Sequence, residues 1–262
     1  MKINMELKKL LHIPRSEAEK FHSKTKTKMR GHDVDIKSIP KSWTETYYKG
    51  YVRLQKAPLP APTLSHGLGL RDALDNRSSA REFSQTALSI KQLSTLLYYS
   101  VGIKNIQSGR RFYPSAGARF PLETYILSLN TELGKRLYHY YVKSHCIEKI
   151  LDDQKRSDIN DYFPGQQWVS HASVVVFITS IFNRTLNKYG DRGYRSVLLE
   201  AGHVGQNIYL LTSALNLNCC ALGGFVDDNV NKLLDIDGVN EAIVYAFAIG
   251  NKKSKKKKDA SS

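Results

Sequence analysis

The sequence predicts an α+β protein, a mainly antiparallel sheet with long helices around it, and three observations carry that class. Val174-Val175-Val176-Phe177-Ile178 is a continuous apolar run of the kind buried on both faces of a sheet, and Ala242–Ile249 is a second. Tyr194–Leu217 keeps Leu198, Ala201, Val204, Ile208, Leu211 and Leu215 on one helical face. No Gly-x-Gly-x-x-Gly joins a strand to a helix, so a dinucleotide-binding unit is not supported. The pattern gives the class and leaves the strand order open.

Along the chain, residues 1–62 read as a basic extension with a short helix near Met5–Leu11 and a stiff linker at Pro58, Pro60 and Pro62. The compact domain is expected over residues 63–250. Ser89-x-x-Gln92 is a capping box; Ile90, Leu93, Leu96 and Leu97 follow at helical spacing, and Gly102 stops the helix. Thr124–Leu129 and Leu137–Val142 read as strands, and His171–Phe182 encloses the valine run. In the long helix, Gly202 and Gly205 would let another helix pack closely. Asp227 or Asp228 caps a short helix through Leu234, and the last strand ends at Gly250. Residues 251–262 form a Lys-rich tail.

The chain has 262 residues, 41% hydrophobic, enough for one sizeable core. Its net charge of +15 sits at the ends: residues 1–60 carry 14 Lys/Arg against 6 Asp/Glu, and residues 251–262 carry 6 Lys against 1 Asp. The body is close to neutral, which argues against a nucleic-acid-binding face. Cys146, Cys219 and Cys220 have no metal-ligand spacing and suggest no disulfide framework. With no signal-peptide core and no apolar run of spanning length, a soluble, cytoplasmic protein with no membrane partner is expected.

Four segments carry residues suited to chemistry. In Arg77-Ser78-Ser79-Ala80-Arg81, two guanidinium forks four residues apart flank hydroxyls, a donor set that can surround a phosphate. Alone, it also reads as a solvated basic turn. Arg110-Arg111 lead into Pro114-Ser115-Ala116-Gly117, where small residues let the backbone approach a flat or anionic ligand and proline stiffens the turn. Its plain alternative is a Pro-rich turn entering a strand. Gly223-Gly224 follow an apolar strand and can present backbone N–H groups to a ligand, or simply make a tight turn. Lys188-Tyr189, in a Gly-bounded loop, offer a base and a phenolic hydrogen-bond partner, provided something lowers the lysine pKa; an ordinary surface turn is the alternative.

In this order, the four segments resemble the azoline dehydrogenases of ribosomal peptide biosynthesis, the SagB/McbC-type flavoenzymes of the nitroreductase superfamily. Arg77, Ser79 and Arg81, with Ser78 between them, match the phosphate-binding start of nitroreductase-type flavoproteins. Pro114, Ser115, Ala116 and Gly117 match the Pro-Ser-Ala/Gly-Gly-Ala loop, with Arg111 a further phosphate candidate. Gly223 and Gly224 match the turn after the long helix, whose N–H groups suit N5 and O4 of a reduced flavin. Residues 188–195 are similar to the Lys-Tyr-x-x-Arg-Gly-Tyr-Arg signature that general nitroreductases lack, which carries Lys188 and Tyr189 over as the catalytic pair. The resemblance covers roughly residues 64–250. It implies a nitroreductase-like fold formed as an intertwined homodimer, with FMN at the seam and the 114–117 loop reaching flavin bound mainly by the other subunit. The implied reaction is oxidation of thiazoline or oxazoline rings to thiazole or oxazole in an azoline-containing precursor peptide, in complex with an ATP-dependent cyclodehydratase. No metal is implied.

Glu200 is expected to pair with Arg195 rather than touch the site, and His139, His145 and His203 to be ordinary structural histidines. Lys252 or Lys253 is expected near the flavin phosphate. Two other functions share these motifs: a general NAD(P)H-dependent nitro or quinone reductase, and a non-catalytic scaffold of a peptide-modifying complex.

Overall fold

The computed structural model describes residues 16–26, 40, 43, 45–64, 69–152 and 159–253. The helix expected near Met5–Leu11 and most of the Lys-rich tail lie outside them. Strands are β1 (Lys56–Pro58), β2 (Ile103–Asn105), β3 (Arg110–Arg111), β4 (Leu122–Ser128), β5 (Arg136–Tyr141), β6 (Cys146–Asp152), β7 (Val174–Ile181), β8 (Leu217–Leu222) and β9 (Glu241–Asn251). Helices are α1 (Glu17–Lys24), α2 (Leu70–Asn76), α3 (Ile90–Val101), α4 (Ile159–Tyr162), α5 (Asn183–Tyr189), α6 (Gly193–Ala214) and α7 (Asp227–Leu233).

Seven strands pair in the order β1-β6-β5-β4-β7-β9-β8, every pair antiparallel, and β2 and β3 form a separate ribbon. At the centre, Tyr125 opposes Phe177 and Ile126 opposes Val176. Because side chains alternate faces, Ile126, Val176 and Ile178 join one core with α3 and α6, while Tyr125, Val175 and Phe177 join a second with Phe163, Val230 and Leu234. Both faces are covered, which is why Val174–Ile178 of β7 and Ala242–Ile249 of β9 read as continuous apolar runs. Each fully buried Val or Leu contributes roughly 1.5–3 kcal/mol.

The capping box forms as expected: Ser89 Oγ accepts from Gln92 N, and Ser89 N donates to Gln92 Oε1, both at 3.2 Å. Other boundaries move for local reasons. Helix α6 stops at Ala214 because Asn216 turns left-handed (φ 55°) ahead of β8. Gln167–His171 forms a 3₁₀ turn, so the valine strand begins at Val174. Neither Asp227 nor Asp228 is the N-cap; both sit in the first turn of α7 after Val226, where a carboxylate still favours the helix dipole. The Pro-rich linker contributes structure as well: Lys56–Pro58 is an edge strand paired to β6, upstream of the expected start at residue 63. Pro58 is tolerated because an edge strand needs no second ladder partner.

Helix α6 does not use its glycines as expected. Gly205 admits rings from β9, since a Cβ there would lie 2.9 Å from Phe247 Cζ and 3.0 Å from Tyr245 Cε1, and Gly202 faces open space. At its start, α1 is seated on the Asp191–Arg195 segment. Phe21 meets Tyr194 edge-on at 5.7 Å, Lys24 pairs with Asp191 at 3.0 Å, and Arg192 donates to Thr25 O at 2.8 Å.

Candidate active site

The Pro114–Gly117 loop connects β3 to β4 through an unusual backbone path. Gly117 (φ 59°), Ala118 (φ 53°) and Phe120 (φ 46°) are all left-handed. For the two residues with a Cβ, this costs on the order of 1–2 kcal/mol each, so surrounding bonds must hold it. Ser115 Oγ accepts from Phe120 N (2.8 Å), and Glu200 Oε1 on α6 accepts from Ala116 N (2.8 Å). On the far side Arg119 Nε donates to Arg184 O (2.9 Å), while Arg184 Nη1 donates to Phe120 O (3.2 Å) and pairs with Glu123 Oε1 (2.6 Å).

Arg184 lies one turn before Lys188 on α5, so the same bonds place the helix end that carries Lys188 and Tyr189. That segment is helical up to Tyr189, with Gly190–Arg192 forming a single 3₁₀ turn, rather than the loop expected. Gly117 packs directly on the pair. A Cβ at that position would collide with the Tyr189 hydroxyl and lie 3.0 Å from Lys188 Nζ, so it would push the ends of both side chains aside, and the left-handed φ also favours glycine. The Lys188 ammonium sits 5.5 Å from the centre of the Tyr189 ring.

Beneath the loop, burial sets the electrostatics. Glu200 is only 3% exposed, and burial pushes its carboxyl up to about 7 against the opposing pull of the Ala116 N–H, Ser115 and Arg111. Arg111, expected to donate to a phosphate, is instead buried and turned inward, its Nη1 donating to Leu122 O (3.3 Å) and Tyr113 Oη (3.2 Å). Arg111 Nε and Nη2 and Glu200 Oε2 are shielded from solvent without a hydrogen-bond partner among the described residues. Burial raises the Tyr113 phenol to about 12. Behind β4, burial would push Glu123 up, but bonding to His139 and the charge of Arg184 hold it down at about 2. His139 lies between Glu123 (3.2 Å) and Glu148 (2.8 Å); burial disfavours its charge, yet the two carboxylates raise its pKa overall.

The second group of expected residues gathers around β8. Arg77, Ser78, Ser79 and Arg81 are exposed on the segment before α3, with Ala80 N donating to Cys219 O (2.9 Å). Tyr209 of α6 links the group: its hydroxyl is 2.9 Å from Ser79 Oγ and accepts from Ala221 N at 2.9 Å, and Arg77 stacks on its ring at 5.4 Å. Arg81 lies over Trp168 at 5.9 Å. Gly223 and Gly224 follow β8 and are exposed; no atom lies within 4 Å of where a Gly223 Cβ would stand. Lys253 pairs with Glu82 at 3.2 Å, one residue beyond Arg81.

Within one protomer, then, the expected residues form two clusters. Lys188, Tyr189 and the 114–117 loop sit near Glu200, and the Arg-Ser-Arg segment and Gly-Gly turn sit near Tyr209. Nine residues of α6 separate those anchors, about 14 Å along its axis. Glu200 does not pair with Arg195, whose Nη2 donates to His22 O on α1 at 2.5 Å. Glu200 bonds the loop because its position on α6 points into the core between Val197 and Ala201, away from the solvent-facing arginine. Sequence reasoning missed Arg184 and Tyr209; a lone arginine or tyrosine on a helix carries no signal for partners 64 or 130 residues away.

The seven-stranded antiparallel sheet covered on both faces defines an α+β fold without a dinucleotide-binding strand–helix unit, carrying one Arg/Ser cluster and one Lys-Tyr cluster. The nitroreductase family model matches residues 74–251, and this chain belongs to the nitroreductase family, whose members typically bind flavin. It is 34% identical to a nitroreductase-like protein of Methanocaldococcus jannaschii over 169 residues, 64% of this chain and 84% of that one. It is 33% identical to the microcin B17-processing protein McbC of Escherichia coli over 158 residues, 57% of each. A structure of the E. coli microcin synthetase McbBCD complex with truncated pro-MccB17 bound has a chain of the same fold (TM-score 0.59, 21% identity, covering 95% of this chain and 98% of that one). The aligned part thus spans little more than half the length of McbC. No helix among the described residues is long and apolar enough to cross a membrane.

Proposed function

We propose that this chain is an FMN-dependent dehydrogenase that oxidises thiazoline or oxazoline rings to thiazole or oxazole in a ribosomally made precursor peptide. The observation that carries the reading is the packing of Gly117 on both Lys188 Nζ and the Tyr189 hydroxyl, within a chain related to a microcin-processing protein. The residues present fit FMN. Arg77, Arg81, Ser78 and Ser79 are exposed donors suited to its phosphate, and the exposed Gly223 and Gly224 can offer N–H groups to the flavin edge. When bound, FMN supplies the two-electron acceptor. Lys188, as its neutral amine, would take the proton from the ring carbon derived from the amino-acid α-carbon, and Tyr189 would orient it. The 114–117 loop brings backbone close to a planar ligand.

The reading joins the two separated clusters through a homodimer, the loop of one protomer meeting FMN bound mainly by its partner. Leu198 and Leu199 on α6, 44% and 66% exposed, support such a seam. The functional domain on this reading is residues 63–250, with the basic extension and Lys-rich tail outside it. Similarity to McbC and to the McbBCD chain supports work alongside an ATP-dependent cyclodehydratase.

Replacing Lys188 with Ala and Tyr189 with Phe together should leave FMN bound and abolish azole formation, read as the loss of two mass units per ring. Unchanged azole yield would overturn the assignment. Rapid bleaching of the flavin on anaerobic mixing with NADPH would place the chain among general nitroreductases instead. A chain that cannot be loaded with FMN would be a scaffold.

A further inference from the structure

We propose that Glu200 is a positioning residue: by accepting the Ala116 N–H, it holds the Pro114–Gly117 loop on the path that sets Gly117 against Lys188 and Tyr189. The inference rests on the reading of those two side chains as the catalytic pair. Its first support is cost. Glu200 is buried on the face of α6 where Val197, Ala201 and Val204 enter the core, and there a carboxyl is less favourable than an apolar side chain. The polar groups it meets there are the Ala116 N–H, Ser115 and Arg111, all in or beside the loop, so packing of the helix alone does not account for an acid at this position.

The second support is what the acid holds. The Ala116 N–H lies one residue before Gly117 and two before Ala118, where the backbone turns left-handed. Ser115 Oγ closes the loop onto Phe120 N, and Arg184 ties its exit to the helix bearing Lys188. Glu200 supplies the tie from α6. If it were released, the strained backbone would relax toward ordinary φ values, and Gly117 would withdraw from the pair.

The test uses the full chain, with and without added FMN, and two readouts that need no substrate. One is amide hydrogen exchange at Ala116; the other is the ring resonance of ¹³C-labelled Tyr189. Glu200→Ala should speed exchange at Ala116 about tenfold, the loss of one hydrogen bond, and shift the Tyr189 signal. Glu200→Gln keeps the acceptor oxygen and should restore both to wild type, which a merely space-filling role would not require. If the Ala variant does not fold, Glu200→Leu keeps the volume without the acceptor and should behave as Ala was expected to. An unmoved Tyr189 resonance in the Ala or Leu variant, or a Gln variant that fails to restore it, overturns the proposal. Neither readout depends on azole chemistry, so failure of the functional reading would appear separately, as azole formation surviving in the Lys188 and Tyr189 double variant.

Discussion

At the scale of single residues, Gly117 is where backbone geometry and chemistry meet. Alanine there takes on the strain of a left-handed φ and a clash with the Tyr189 hydroxyl. Gly117→Ala should cost about 1–2 kcal/mol in a thermal melt and, on the proposed function, lower azole formation by at least about tenfold, because Lys188 and Tyr189 must move aside. Glu123 has a different kind of role, since its carboxylate anchors Arg184 and through it the Lys-Tyr helix. Glu123→Gln leaves a buried guanidinium short of its counter-charge and should destabilise by roughly 3–5 kcal/mol near neutral pH. Its folded pKa of about 2 lies below the ordinary 4.5, so the stabilisation is complete above 4.5 and fades as pH falls toward 2. Melts across that window should slope for the wild type and flatten for the variant. Lys188, Tyr189, Arg77, Ser79 and Arg81 could be proposed from the sequence because each belongs to a local motif. Glu200, Arg184 and Tyr209 could not, because their partners lie 64 to 130 residues away.

At the scale of elements, helix α3 and the central strands were readable because capping and burial are local properties of composition. Helix α5 was not, since it is seven residues long and lacks a side-chain cap. Strand β1 was hidden by its proline. The basic extension matched no motif, yet α1 rests on the Asp191–Arg195 turn next to the Lys-Tyr pair. No residue of α1 is buried; its ties to this segment are one exposed ion pair, two bonds to carbonyls and two contacts of the Phe21 ring, with Tyr194 and Arg195. Such ties contribute little each, so deleting residues 16–25 should lower stability by only about 1–3 kcal/mol. A differential scan of the truncated chain checks this; a larger loss would mean that α1 belongs to the core.

At the scale of the whole molecule, fold class was legible and strand order was not. Placing β4 between β5 and β7 requires one short hairpin and one long-range pairing, and periodicity distinguishes neither from its alternatives. The charge was legible only after it was located: the body is nearly neutral and the ends are basic. The homodimer of the proposed function, which would bring the two clusters together, is testable. Leu198→Glu with Leu199→Glu should convert a dimer to a monomer on a sizing column and release FMN with it. A monomeric wild type that retains FMN would mean that the clusters do not need each other.

Helix α6 spans 22 residues and joins the Glu200 end to the Tyr209 end as a rigid axle. Register along such an axle is rotational as well as linear: one inserted residue turns everything beyond it by about 100° and advances it about 1.5 Å. Natural variation within this stretch is therefore expected to exchange side chains and not to change length, since a single extra peptide unit would swing Tyr209 away from Ser79 while leaving Glu200 under its loop.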